Sequence, residues 1–291
     1  MIHEPILRAR PKRILPARAI LLDLDGTLLD ESSRVHPENA RALRELEARG
    51  GRVMIATGRS TASTTGIVEE IGLRTPAITF NGAGLWCPVQ KRMLEERVLS
   101  SRTVARALEY ADEKGLLTVL MTNDAKYASP PRDELERVSI EGLMGLRVVS
   151  REELESVEFV VRVTLFSVDH ATSLALQDEV AERIAQPVYL THFPLNALPM
   201  HRTSPMVVLD IHPPCRGKAE GVRVVRELYG IEPGAVVAVG DATNDIPMFE
   251  AAGLAIAMAT GMREAVGLAD RVLPHNEGTA IAELVAELFP G

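Results

Sequence analysis

Two aspartates separated by one leucine stand where an apolar run gives way to glycine, in Leu21-Leu22-Asp23-Leu24-Asp25-Gly26-Thr27-Leu28-Leu29. A carboxylate at the end of a buried strand is costly unless a cation or hydrogen bonds compensate it, so the pair suggests a metal site or two acids tuned apart for proton transfer. Strand alternation would put residues 23 and 25 on one side. Surface turns also use aspartate freely, so the pair alone does not decide. A second acidic cluster, Gly240-Asp241-Ala242-Thr243-Asn244-Asp245, follows another apolar run. Hard oxygen ligands without His or Cys favour magnesium over zinc, although Asp245 could equally cap a helix beginning at Ile246. Between the clusters lie Thr57-Gly58-Arg59, Asn81-Gly82 and Lys218. Lys218 opens a helical stretch, where a lysine suits an anion as well as it suits solvent.

Short apolar runs and helical stretches alternate around these residues. Runs at 19–24, 52–56 and 77–80 read as strands, and 37–49 and 61–71 as helices, the rhythm of a parallel sheet with right-handed crossovers. The rhythm changes after residue 82, with helical stretches at 101–114 and 171–184 among strands at 117–121, 159–166 and 188–190. It returns with strands at 206–211, 235–239 and 254–258 and helices at 218–229 and 246–252. The expected organisation is α/β, with a Rossmann-like parallel-sheet domain over residues 19–84 and 200–291, split by an α+β insertion over residues 85–199. In open parallel sheets the ligand crevice lies outside the C-terminal strand ends, so the two acidic clusters are expected to converge there.

The 291 residues are 46% hydrophobic and 25% charged, enough chain for one large domain or two modest ones. A formal net charge of −8 disfavours nucleic acid and anionic membranes as partners. Cys87 and Cys215 stand far apart in sequence, which fits two reduced thiols better than a disulfide or zinc site. No apolar run reaches membrane-spanning length and none at the start reads as a signal peptide, so the expectation is a cytoplasmic protein. Residues 1–18 carry Arg8, Arg10, Lys12, Arg13 and Arg18 and read as a loosely held basic tail. A monomer or small homo-oligomer is expected.

The residues and spacings together resemble the haloacid dehalogenase (HAD) superfamily, in its Cof-type, sugar-phosphatase-like branch with a large inserted cap. The resemblance runs from residue 19 to the C-terminus, and its motifs appear in order at Asp23-Leu24-Asp25-Gly26-Thr27, Thr57, Lys218 and Gly240 to Asp245. It implies a magnesium-dependent phosphatase acting on a small phosphorylated metabolite, with sugar phosphates as leading candidates, through an aspartyl-phosphate. Asp23 would be the nucleophile and Asp25 the general acid. Magnesium would be held by Asp23, the Asp25 carbonyl and Asp241, with Asp245 in support. Thr57 and Lys218 would hold phosphoryl oxygens, and Arg59, Asn81, Gly82 and Asn244 would contact substrate or orient such groups. The chain departs from the family's pattern at Ile256-Ala257-Met258-Ala259-Thr260-Gly261, where the usual asparagine of this turn is missing, at Ala219 after the lysine, and at a shortened acidic loop over residues 274–278. A nucleotide-sugar transferase shares Asp-x-Asp but leaves Lys218 and the later cluster unexplained. A phosphomutase of the same superfamily and a phospho-ligand sensor with little turnover are the other readings. Trp86, His192, Asn196, His201 and Arg202 are specificity candidates in the insertion, each also explicable as ordinary core or surface.

Overall fold

The computed structural model describes residues 16–274 and 278–290. Most of the basic tail and the loop residues 275–277 lie outside the described residues. The chain divides into two units, the first built from residues up to Gly58, Thr64–Arg92 and the chain from Arg216, the second from Arg59–Ser63 and Met93–Cys215.

The first unit opens with β1 (Ala19–Leu22), α1 (Pro37–Ala48), β2 (Arg52–Ile55), α2 (Thr61–Ile71), β3 (Ala77–Thr79) and β4 (Gly84–Cys87). Through β5 (Arg92–Glu96) the chain enters the second unit, with α3 (Ser101–Lys114), β6 (Leu117–Met121), β7 (Lys126–Ala128), α4 (Glu134–Ile140), β8 (Leu146–Val148), α5 (Arg151–Glu155), β9 (Arg162–Ser167), α6 (Ser173–Ile184), β10 (Tyr189–Pro194) and β11 (Val207–His212). It returns with α7 (Glu220–Tyr229), β12 (Val236–Gly240), α8 (Ile246–Ala251), β13 (Leu254–Met258), α9 (Arg263–Leu268), β14 (Arg271–Leu273) and α10 (Ala280–Leu288).

In the first unit a parallel sheet runs in the order β14-β13-β12-β1-β2. β1, an interior strand between β12 and β2, is buried at every position, which is why Ala19-Ile20-Leu21-Leu22 reads as an unbroken apolar run rather than an alternating one. Leu22 pairs with Val239 on one side and Ile55 on the other, so three strands end level. That register delivers Asp23, Thr57 and Asp241 to the same rim. An isolated parallel bridge, Ala56 to Ile78, sets β3 beside β2. His36 caps α1, its Nδ1 accepting from the Glu38 amide at 3.2 Å, and Pro37 occupies the first turn where its missing N–H costs nothing. α7 lies so close to β1 that a Cβ on Gly221 would stand 2.7 Å from a Leu21 methyl. Trp86, a specificity candidate in the sequence, is instead a buried residue of β4 paired with Ala77 in this unit.

The second unit holds a six-stranded sheet, β10-β11-β9-β6-β7-β8, antiparallel except for the β7–β8 pair. Leu108, Leu120, Leu165, Leu176, Val180 and Leu209 join α3, α6 and one sheet face in a single apolar cluster. Ser100 caps α3 through the Thr103 amide at 3.1 Å, and Gly115 ends it in the left-handed conformation. β11 corrects the sequence reading, which set residues 206–211 in the parallel rhythm. It pairs antiparallel with β10 and β9. All six of its residues are buried, so the run carries no sign of which sheet it joins. No helix among the described residues is long and apolar enough to cross a membrane.

Candidate active site

Asp23 is the first residue beyond β1, its amide donating to the Val239 carbonyl at 3.0 Å. The next residues form a tight turn that needs Gly26 at φ +71°, where a Cβ would lie 2.3 Å from a carboxylate oxygen of Asp241. Glycine here therefore serves both backbone conformation and the close approach of the two acidic loops. Thr27, quoted in the sequence motif without a task, donates its hydroxyl to Asp241 Oδ1 at 3.2 Å.

Lys218 is completely buried, and its Nζ lies 2.8 Å from Asp23 Oδ1 and 2.6 Å from Asp245 Oδ1. The sequence places it at a helix start. It sits in a single 3₁₀ turn ahead of α7, and its ammonium goes to the two carboxylates. Gly82 explains how the lysine gets there: at φ +101° a Cβ on it would stand 2.3 Å from the Gly217 carbonyl, so only glycine lets the loop before Lys218 come this close.

Asp245 has a larger task than capping α8. Its Oδ2 accepts from the amides of Asp241 and Ala242 at 2.8 and 2.9 Å while Oδ1 takes Lys218. The loop of residues 240–245 is thus folded around its own last carboxylate. Asp241 is also held from behind, its carbonyl accepting from the Met262 amide at 2.7 Å. The turn that lacks the family's asparagine thus reaches Asp241 through a backbone amide. A Cβ on Gly261 would fall 2.5 Å from the same carbonyl.

Carboxylate oxygens of Asp23, Asp241 and Asp245 lie within 4.8 Å of one another. Three carboxylates and one ammonium sum to −2 when all are ionised, in a site where water is largely excluded. Burial, with the charges of Asp245 and Asp241, drives the Asp23 pKa well above the ordinary carboxylate range against the pull of Lys218. Burial, then Asp245, raises that of Asp241 to about 7, opposed by Lys218 and the Thr27 hydroxyl. Burial pulls Lys218 down, but Asp23 and Asp245 together outweigh it and the ammonium holds its proton more tightly than usual. The donor set is all hard oxygen and its charge deficit equals one divalent ion, so the residues present fit magnesium.

Asn81 and Asn244 are joined, Asn244 Nδ2 donating to Asn81 Oδ1 at 3.0 Å, and Asn244 Oδ1 is buried with no hydrogen-bond partner among the described residues. Asn81 adopts φ +52°, and a Cβ on Gly58 would lie 3.1 Å from its Oδ1, so Gly58 makes room for the amide. Thr57 is buried, its amide donating to the Ile78 carbonyl and its own carbonyl accepting from the Asn81 amide, both at 3.0 Å. The Asp25 side chain is exposed and stands outside the three-carboxylate group. Arg59 falls in the Arg59–Ser63 stretch that groups with the second unit. Of the insertion candidates, His192 bonds Ser173 at 2.9 Å, while Asn196 and Arg202 are exposed and His201 closes a short 3₁₀ turn.

The haloacid dehalogenase-like hydrolase family matches residues 20–285. The chain is 27% identical to a phosphoglycolate phosphatase of Methanopyrus kandleri over 93% of this chain and 96% of that protein. It is 24% identical to 5-amino-6-(5-phospho-D-ribitylamino)uracil phosphatase YwtE of Bacillus subtilis, over 94% and 99%. Among solved structures, the HAD subclass IIB sugar phosphatase BT4131 superposes with a TM-score of 0.76 at 21% identity, covering 93% of this chain and 98% of that one. At that identity the likeness speaks for the fold.

Proposed function

From the premise that this chain belongs to the haloacid dehalogenase-like hydrolase family, we propose that it hydrolyses a small phosphorylated metabolite, a sugar phosphate by preference, with Asp23 as nucleophile and magnesium as cofactor. The observation that carries the reading is the meeting of Asp23, Lys218, Asp241 and Asp245 at the rim of one parallel sheet. The second unit is read as the cap of this family, and phosphatase is the activity named for the relatives above.

Asp23 attacks phosphorus through a carboxylate oxygen, the bond from phosphorus to the leaving oxygen breaks, and Asp25 gives that oxygen a proton. Asp25, now ionised, takes a proton from water, whose oxygen attacks the phosphorus of the aspartyl-phosphate. Inorganic phosphate leaves and both aspartates return to their starting states. Its exposed side chain suits Asp25 to proton exchange with solvent. Lys218 fixes the orientation of Asp23 and supplies positive charge where the phosphoryl oxygens gather, with Thr57 as a further donor. Asp23, Asp241 and the Asp25 carbonyl would hold magnesium. Asp245, both of whose oxygens are engaged by protein donors, supports from behind. Magnesium, when bound, offsets the repulsion between an anionic carboxylate and an anionic phosphate.

The test is hydrolysis of p-nitrophenyl phosphate in magnesium buffer by the wild-type chain and by Asp23→Asn. The expected result is loss of turnover by about 1,000-fold or more, the order seen when a nucleophile is removed, with an unchanged circular dichroism spectrum. A chelator silences the wild type reversibly, and calcium, too large for tight octahedral geometry, does not restore it. Retained turnover in Asp23→Asn removes the nucleophile assignment, and full rate in chelator removes the metal.

A further inference from the structure

Lys218 reaches two carboxylates at the tip of a flexible stem, and holding its ammonium 2.8 Å from Asp23 and 2.6 Å from Asp245 requires a fixed backbone origin. That origin is weak by itself. It is the middle residue of one 3₁₀ turn, Gly217–Ala219, entered through Gly217 in the left-handed conformation at φ +61°. Glu220 closes this turn. Its amide donates to the carbonyls of Gly217 and Lys218, and its side chain folds back so that Oε1 accepts from the Arg216 amide at 3.1 Å. The reach-back is that of a capping-box glutamate, carried one position further along the chain. The loop carrying Lys218 is thus tied on both sides to one residue.

Burial separates this arrangement from an ordinary surface ion pair. Glu220 opens α7 and is 4% exposed. Its Oε2 accepts from Arg223 Nε at 2.6 Å, and that guanidinium, itself only 25% exposed, is shared with Glu227. A carboxylate so far from water is costly unless donors meet its oxygens. One of the donors here belongs to the loop before the lysine. Packing adds to the constraint, because a Cβ on Gly82 would stand 3.3 Å from Glu220 Cγ as well as 2.3 Å from the Gly217 carbonyl. The ammonium itself goes to Asp23 and Asp245, so Glu220 acts on the lysine through its backbone.

We propose that Glu220 is a positioning residue for Lys218: by holding the Arg216 amide it sets where the ammonium stands against Asp23 and Asp245. This rests on the phosphatase reading above and deepens it by a residue that acts through the lysine.

The experiment is a double-mutant cycle on kcat/KM toward p-nitrophenyl phosphate, with Glu220→Ala, Lys218→Met and the two combined. Alongside it, acetic anhydride labelling reads the exposure of the Lys218 amine, and iodoacetamide labelling that of Cys87, buried in β4 of the same unit. Glu220→Ala is expected to lower kcat/KM about tenfold or more, since misplacing a group by about 1 Å can cost about 100-fold. In the Lys218→Met background the same change adds nothing, because the residue it acts through is gone. Glu220→Gln, which keeps an acceptor for the Arg216 amide, recovers most of the loss. Lys218, protected in the wild type, becomes reactive in Glu220→Ala while Cys87 stays protected. Wild-type turnover in Glu220→Ala, losses that multiply in the double variant, no recovery in Glu220→Gln, or Cys87 labelled together with Lys218, as general unfolding of the unit would produce, each overturn the proposal. A wild type inert toward the ester counts against the hydrolase reading alone. There, or where Lys218→Met falls below detection, the labelling decides the task of Glu220: an unreactive Lys218 in Glu220→Ala rejects it.

Discussion

In a buried cluster of three carboxylates and one ammonium, each side chain's proton affinity is set by its neighbours, and the site can be interrogated one residue at a time. Asp241 titrates at about 7 in the folded chain against an ordinary 3.8. A carboxyl raised by folding lends stability that is complete below its unfolded value and gone once pH has risen through the folded one. In chelator, the melting temperature of the wild type is expected to fall between about pH 4 and pH 7, and that of Asp241→Asn to fall less. Magnesium should restore the wild type at neutral pH, because it binds the folded state alone. Identical pH slopes for the two chains would remove Asp241 as the source. Gly26→Ala forces a Cβ against the Asp241 carboxylate from a left-handed backbone position, with an expected stability loss of about 1–3 kcal/mol. Its decisive readout is magnesium affinity, measured as the magnesium-induced rise in melting temperature, which should fall well below that of wild type. The acidic residues are legible in sequence because two clusters, each closing an apolar run, occur in order with Thr57 and Lys218, although either cluster alone would also suit a turn or a helix cap. The tasks of Thr27 and Gly82 are not, since their partners lie far along the chain: Thr27 reaches Asp241 across 214 positions.

Elements place these residues, and their packing tolerates little. α7 rides on β1 with Gly221 against Leu21, two residues before the nucleophile candidate. Gly221→Ala is expected to cost about 1–3 kcal/mol, the usual penalty of overpacking, read as a lower urea midpoint with an unchanged slope. Wild-type stability in that variant would show that the Leu21 side chain moves aside freely. Local pattern is enough to identify strands such as β13 and helices such as α2 and α3, because burial on both faces or on one stripe marks the residues themselves. It does not say which strands pair. In β11 the odd-numbered positions pack on α3 and α6 and the even ones bear Asp210 and His212, yet all six are buried, so the run resembles a parallel core strand. Trp86 poses the same difficulty from the other side, since β4 follows the change of rhythm but belongs with β3.

At the scale of the whole molecule, the described residues form two units with separate sheets. All three carboxylates of the acidic cluster lie in the first. A net charge of −8 surrounds a site whose own deficit is also negative, so cations are drawn toward it. Trp86 gives this division a practical use. It is the chain's single tryptophan, 6% exposed, and it sits in the first unit. Excited at the red edge of the protein's absorption, the chain should therefore emit from that unit alone, a native fluorophore needing no label. Magnesium is expected to move the emission-detected melting transition upward in the wild type but not in Asp23→Asn/Asp241→Asn. An indole signal indifferent to magnesium, in a chain whose turnover requires the ion, would place the binding site elsewhere.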